Sequence, residues 1–351
     1  KFWSPGGKSL NSAIYAGPRL INDLVAVLVI FRKGPICLGG DLKEMFLQIS
    51  LSERDSAFHH YVHRTSPESS IQEFKWIRFP MGNTCSPAVA IAAIKIHAEH
   101  CLQSHPVAAE MALNSSLVDD LLSSYYTEEE AFEAYKELLA MFDLISMDLR
   151  KFVTNSPKVL GQISQDKREV KTDFLTLCPE SSEKPTGLEA LSGPNVKALG
   201  VRYFPLQDCF QFVLDCPFRD EWTKRKVLVT FSRLYDPLGL VAPFLSHARI
   251  FFQSLWRQDC SWDQAIPKDL LGPWLRWVDS LQDLPRISIP RPLMLAKPDK
   301  VELHTFSDGS GDAYATCVYA KATYPNGQVS VKLVAGKARL VPLNRTTHPR
   351  S

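Results

Sequence analysis

Three aspartates stand where they could hold divalent ions. Asp41 lies near the end of a short apolar run, Ile36 to Leu42, and 78 residues later Asp119 and Asp120 stand side by side within Leu117-Val118-Asp119-Asp120-Leu121-Leu122. An Asp-Asp pair is common turn chemistry and, taken alone, reads as a solvated surface turn. The apolar flanks argue for something else, because two carboxylates inside an apolar strand pair repel each other unless a cation offsets them. Bare aspartates at strand ends suit Mg²⁺, which takes a few carboxylates plus substrate phosphates. Two such ions about 4 Å apart serve phosphoryl transfer to a hydroxyl, one activating the attacking oxygen and one neutralising the leaving group.

The elements that would position these residues follow from periodicity. Leu20, Leu24, Val27, Leu28 and Phe31 have helical spacing, so Ser9 to Phe31 is expected to be one amphipathic helix. Asp41 then falls at a strand end, followed by polar-apolar alternation through Met45, Leu47, Ile49 and Leu51. Ser56 to Val62 and Ser70 to Phe79 read as two strands, and Ser86-Pro87 opens an Ala/Ile-rich helix reaching Leu102. Asp119 and Asp120 suit the tight turn of a half-buried hairpin, and Glu128 to Met147 is an amphipathic helix. That order predicts an α+β layer with helices on one face of an antiparallel sheet.

Further along, Glu180 to Pro194 reads as an exposed loop and Val196 to Phe212 as a two-stranded unit. Thr223 to Asp236 and Pro243 to Asp259 read as helices separated by Pro237-Leu238-Gly239. Trp256, Trp262, Trp274 and Trp277 are expected in the core, where an indole supplies large buried area. Val301 to Phe306, Ala313 to Thr323 and Gln328 to Leu333 alternate as a three-stranded meander, with Pro325-Asn326-Gly327 as a turn.

Bulk properties narrow the class. A chain of 351 residues exceeds one ordinary core, and 45% hydrophobic with 22% charged residues is the balance of a folded globular protein. Forty basic against 38 acidic residues leave a formal charge of +2, so a nucleic-acid cleft would have to come from local patches. The eight cysteines include no CxxC pair and no zinc-ligand spacing, which predicts small buried thiols in a reducing compartment. The longest apolar runs fall short of the ~20 residues needed to span a bilayer, so no membrane partner is expected. The opening Lys1-Phe2-Trp3-Ser4-Pro5 reads as excised from something longer.

These residues resemble the reverse transcriptase to RNase H region of BEL/Pao-type long-terminal-repeat retrotransposons, from about Ser9 onward. Gly40-Asp41-Leu42-Lys43-Glu44-Met45-Phe46 is similar to the family's D-x4-F/Y motif, which implies that Asp41 binds metal and Phe46 blocks a ribose 2′-hydroxyl. Read without the resemblance, Phe46 is an ordinary core residue. Phe79-Pro80-Met81-Gly82-Asn83 with Ser86-Pro87 resembles the loop that carries the incoming nucleotide, which places Met81 and Gly82 there. Leu117-Val118-Asp119-Asp120 resembles the YxDD box, with Leu117 where the family has an aromatic residue. Lys151, in Leu149-Arg150-Lys151-Phe152, sits where such polymerases keep a lysine near the pyrophosphate as a proton donor; alone it reads as a solvated cation.

Leu199-Gly200-Val201-Arg202-Tyr203 looks like the family's primer-grip hairpin, and Asp236-Pro237-Leu238-Gly239 with Leu255-Trp256 like its connection region. The connection region of this family often carries a peptidase label, yet no Asp-Thr-Gly or Asp-Ser-Gly signature occurs. Phe306-Ser307-Asp308-Gly309-Ser310 with Ala313-Tyr314 resembles the first RNase H strand, where Asp308 would be one metal ligand of several. One carboxylate cannot hold two ions, so hybrid cleavage is not expected. Asp308, Ser310 and Asp312 also sketch a calcium loop, but its Gly and terminal Glu are missing.

The resemblance thus implies fingers remnant and palm over residues 1–160, primer grip, thumb and connection over 161–298, and an incomplete RNase H-like meander over 299–351. Asp41, Asp119 and Asp120 would hold two Mg²⁺ ions for RNA-directed DNA synthesis, with an RNA template, a DNA primer strand, dNTP and other polyprotein segments as partners. Localisation in a cytoplasmic virus-like particle follows from the same likeness. Two alternatives stay open: a catalytically silent nucleic-acid-binding or assembly remnant that uses Lys224-Arg225-Lys226 on phosphates, and a host-adopted interaction domain.

Overall fold

The computed structural model describes residues 7–169, 195–214, 216, 218, 221–258 and 261–343. The expected loop Glu180 to Pro194 and the opening Lys1 to Pro5 lie outside them. The chain divides into two compact units, residues 1–31 with 36–171, and residues 32–35 with 172–351.

The first unit opens with α1 (Leu10–Ala13) and α2 (Leu24–Lys33), not the single helix expected from Ser9 to Phe31. The apolar spacing across Ile14 to Asp23 is real, but Gly17 adopts φ +80° and Pro18 follows it, a pair that ends a helix instead of starting one. Strand β1 (Ile36–Leu42) leads into α3 (Met45–Gln48), where alternation had predicted extended chain. Glu44 at φ +50° turns the chain so that Met45 is buried and Phe46 packs on the same core. After α4 (Glu53–Ser56), strands β2 (His60–His63) and β3 (Gln72–Lys75) form a two-stranded hairpin, narrower than the spans expected.

Helix α5 (Ser86–Cys101) starts on Ser86-Pro87 as its sequence requires, and α6 (Pro106–Asn114) follows. The short strand β4 (Ser116–Leu117) turns through Val118 and Asp119 into β5 (Asp120–Tyr125). Helix α7 (Glu128–Asp143) begins in a capping box, Thr127 accepting from the Glu130 amide while Glu130 reaches back to the Thr127 amide, with three acids at its positive end. Strand β6 (Leu149–Val153) and α8 (Pro157–Gln162) complete the unit. The sheet order is β4-β5-β1-β6, with β1 central and antiparallel to both β5 and β6. Its core joins Leu38, Leu42, Leu121 and Phe152 to Ile94, Ala109, Leu138 and Met141, sheet side chains against those of α5, α6 and α7.

In the second unit, β7 (Val196–Ala198) and β8 (Val201–Phe204) form the hairpin read from Leu199-Gly200, both turn residues at positive φ. The unit is larger than two strands. β9 (Cys209–Gln211) and the distant β10 (Ser288–Pro290) extend it to the order β10-β9-β8-β7. Helices α9 (Lys224–Ser232), α10 (Ala242–Ser254) and α11 (Gly272–Asp279) follow, and the Asp-Pro-Leu-Gly motif before α10 has a structural role. Asp236 accepts from the amides of Leu240 at 2.9 Å and Val241 at 2.8 Å.

The tryptophans divide. Trp274 and Trp277 are core, stacked at 4.9 Å with Phe251 and Trp222 against them, whereas Trp256 and Trp262 are exposed. Strands β11 (Lys300–Gly309), β12 (Ala313–Thr323) and β13 (Val329–Leu340) make the expected meander, with a register shift against β13 between Val318 and Tyr319. Cys37, Cys101 and Cys209 are buried free thiols, while Cys85, Cys216 and Cys317 are partly exposed. Among the described residues no helix is long and apolar enough to cross a membrane.

Candidate active site

Strand pairing alone assembles the aspartates. Asp41 on β1 pairs with Asp120 on β5 on one side and with Arg150 on β6 on the other, so three strands present Asp120, Asp41 and Arg150 in a row. Asp119 sits in the β4–β5 turn, and its carbonyl accepts from the Leu42 amide at 2.9 Å, which ties the turn to the residue after Asp41. Val118, partly buried against the core, stands at φ +59°. For a β-branched residue that conformation costs on the order of 1–3 kcal/mol, and packing around it must hold it there.

The electrostatics are unbalanced in a way that favours a cation. Burial, then the neighbouring charges of Asp119 and Asp41, push Asp120 up to about 6. Asp119 is raised as well, by burial first and then by the charge of Asp41. Asp41 has protein partners already: Arg150 Nε donates to Oδ2 at 3.1 Å, and Lys151 Nζ lies 3.6 Å from the same oxygen. Lys151 reaches it from a left-handed backbone, φ +52°. Among the described residues no group of three His, Cys, Asp or Glu side chains is gathered closely enough to hold a metal ion. The chemistry of the set still fits Mg²⁺, since two half-buried carboxylates are hard oxygen donors whose proton affinity stays raised although Lys151 acts on both and Arg150 on Asp119.

The expected nucleotide loop is held from two sides. Asn11 Nδ2 donates to the Gly82 carbonyl at 2.8 Å, and Asn11 Oδ1 accepts from the Thr84 amide at 2.9 Å. Asn83 Nδ2 lies 2.6 Å from His59 Nε2, and Ser86 Oγ donates to the Pro80 carbonyl at 2.9 Å. Gly82 takes φ +96°, open only to glycine without strain, and Met81 is exposed. Phe46 lies on α3, packed on the core four residues past Leu42.

Asp41, Asp119, Asp120 and Lys151 are thus brought together, Phe46 lies on the helix that follows Asp41, and Met81 and Gly82 belong to a separate loop. Asp308 lies in the second unit, exposed on β11, where its Oδ1 accepts from the Gly309 amide at 2.8 Å beside a cleft of about 570 Å³. Sequence reasoning missed Arg150, Asn11 and His59. Two adjacent cations in Leu149-Arg150-Lys151-Phe152 were the available signal for Arg150.

Residues 223–351 match a family model described as the Pao retrotransposon-like RNaseH-like domain. No curated protein matches the chain in sequence. Among solved structures, a foamy viral protease-reverse transcriptase in complex with double-stranded DNA superposes with a TM-score of 0.54 at 13% identity, covering 91% of this chain and 45% of that one. A foamy viral protease-reverse transcriptase in complex with an RNA/DNA hybrid gives 0.50 at 12% identity, covering 92% of this chain and 36% of that one. The chain therefore spans less than half the length of these structures. The match bears out the resemblance to Pao-type retroelements, and the superpositions bear out the mixed fold with antiparallel sheets.

Proposed function

We propose that the first unit is the catalytic palm of an RNA-directed DNA polymerase from a retrotransposon polyprotein. The observation that carries this reading is the pairing of Asp41 with Asp120 beside the strained turn that bears Asp119. In the reaction, the primer 3′-hydroxyl gives its proton to solvent water as its oxygen forms a bond to the α-phosphorus of a dNTP, the bond from that phosphorus to the oxygen of the β-phosphate breaks, and pyrophosphate leaves. Asp41, Asp119 and Asp120 would hold two Mg²⁺ ions, which supply charge neutralisation at the attacking and leaving oxygens. Lys151, half exposed beside Asp41, would give a proton to the departing pyrophosphate. Phe46 would bar a ribose 2′-hydroxyl, and Met81 and Gly82 would meet the incoming nucleotide through backbone approach. The RNA template, the DNA primer strand and other polyprotein segments are the partners in this proposal.

The hold of Arg150 and Lys151 on Asp41 favours a second reading, a silent remnant that binds nucleic acid without catalysis. Primer extension on an RNA template with Mg²⁺, wild type beside Asp119→Asn, separates the two. Extension by the wild type alone supports the polymerase. If neither folded protein extends a primer that it binds, the second reading stands.

A further inference from the structure

We infer that the second unit carries a binding surface for a single-stranded nucleic acid, formed by Trp256 and Trp262 with Lys224, Arg225 and Lys226. It goes beyond the polymerase reading, since none of these residues lies in the unit that holds the aspartates.

Two large indoles are left in solvent here. Trp256 is 50% and Trp262 39% exposed, although each could have been buried as Trp274 and Trp277 are. They meet edge to face, centroids 5.6 Å apart, and Phe252 supports both at 6.3 Å. An aromatic pair braced in this way keeps its orientation while offering flat apolar surface outward.

Three consecutive cations accompany them, each on an aromatic ring. Lys224 Nζ lies 4.7 Å from the Trp256 centroid, the Arg225 guanidinium 5.8 Å from that of Trp262, and Lys226 Nζ 5.6 Å from that of Phe218. Lys224 is buried as a whole, at 4% exposed, and its ammonium supports the Trp256 ring from the inner side. Arg225 is held flat by two bonds to Asp263, at 2.7 and 3.0 Å. These cations fill the first turn of α9, which has no acid. Positive charge there opposes the helix dipole, and Asp263 offsets the charge of Arg225.

A ligand that satisfies all of this alternates flat π faces with negative charges, which describes a nucleic-acid strand. Bases stack on indoles or on a guanidinium plane while phosphates meet the cations. The strand must be unpaired, because a duplex hides its base faces. Neither stacking nor phosphate contact reads the sugar, so RNA and DNA strands should both bind.

The test uses the whole chain and labelled oligouridylate and oligothymidylate of about fifteen nucleotides, near the span of a stacking groove, followed by fluorescence anisotropy across a salt series. Both should bind, with indole fluorescence quenched. Trp256→Ala with Trp262→Ala should weaken both by about thirtyfold, from the stacking of two bases, while the paired Phe substitutions keep most of the affinity. Lys226→Gln should lower the salt slope by about one phosphate contact. Asp119→Asn should bind like wild type, so loss of extension in that variant leaves the surface untouched. Unchanged affinity in the folded double-Ala protein would overturn the proposal. Binding confined to the ribose strand, or equal dependence of a matched duplex on the two indoles, would overturn it too.

Discussion

Gly239 and Gly336 meet backbone to backbone: a side chain on Gly239 would overlap the Gly336 carbonyl oxygen, and the Gly336 amide donates to the Leu238 carbonyl at 2.8 Å. The turn before α10 and strand β13 can approach this closely only because Gly239 has no side chain. Gly239 also stands at φ +68°. Gly239→Ala therefore combines a left-handed backbone with a collision against main chain, which no rotamer change relieves. A loss of more than about 2 kcal/mol is expected in urea unfolding. A midpoint equal to wild type would mean that the two segments part without cost.

Asp120 gives the pH signature. Its acid strength is weakened in the folded state, so protonation favours folding, and its contribution is complete below the ordinary aspartate range. That contribution is lost as pH rises toward about 6. Asp120→Asn removes the liability and should stabilise the protein above pH 6 by on the order of 1 kcal/mol after allowance for solvent screening. The gain should shrink to nothing near pH 4. Unfolding curves at pH 4, 5, 6 and 7 give the profile, and a gain that grows toward low pH would contradict it.

Metal should act on the same carboxylates. If Asp119 and Asp120 take up Mg²⁺, millimolar MgCl₂ should raise the melting temperature of the wild type at pH 7. Asp119→Asn with Asp120→Asn should remove the response, and NaCl of matched ionic strength should not reproduce it. Arg150→Gln should strengthen it, because Asp41 then loses its nearest cation. Equal shifts in all three proteins would mean that Mg²⁺ acts elsewhere.

Arg291 is fully buried, bound to Asp208 at 2.5 and 2.8 Å and donating to the carbonyls of Gly34 at 2.9 Å and Pro35 at 2.7 Å. Arg32 donates to the Arg291 carbonyl at 3.1 Å, and burial with the Arg291 charge pushes Arg32 down to about 10. Arg291→Met strands a carboxylate and two carbonyls, and should cost about 3–5 kcal/mol. Adding Asp208→Asn should recover part of that loss. Thermal melts of the single and double variants read the difference, and additive losses would show that the pair is not coupled.

Asn11→Ala should loosen the Met81–Asn83 loop without touching the aspartates. Should the polymerase reading hold, KM for dNTP rises roughly tenfold, the worth of one or two neutral hydrogen bonds, with kcat little changed. A fall in kcat at constant KM would assign Asn11 some other role.

The carboxylate site was legible because its signal is local. Asp119-Asp120 between apolar residues needs a hairpin, and an apolar run ending near Asp41 needs a strand, so pairing does the rest. The meander and helices α5 and α7 were legible for the same reason. Arg150 was not, since a strand cation reads as solvated until its cross-strand partner is known. Strand β10 pairs with β9 although α9, α10 and α11 lie between them in sequence, and no periodicity reports a partner so distant. Composition could not separate Trp274 from Trp256 either, because burial is decided by which helix face meets the core.

The clamp of Arg291 on Gly34 and Pro35 spans 257 and 256 positions of sequence. On a ribosome, those carbonyls emerge long before their guanidinium exists, and only water can occupy them meanwhile. The second unit is thus closed by a segment made before the rest of that unit, a late-sealing topology in which the first unit can fold during synthesis while the second waits for the return of its own beginning.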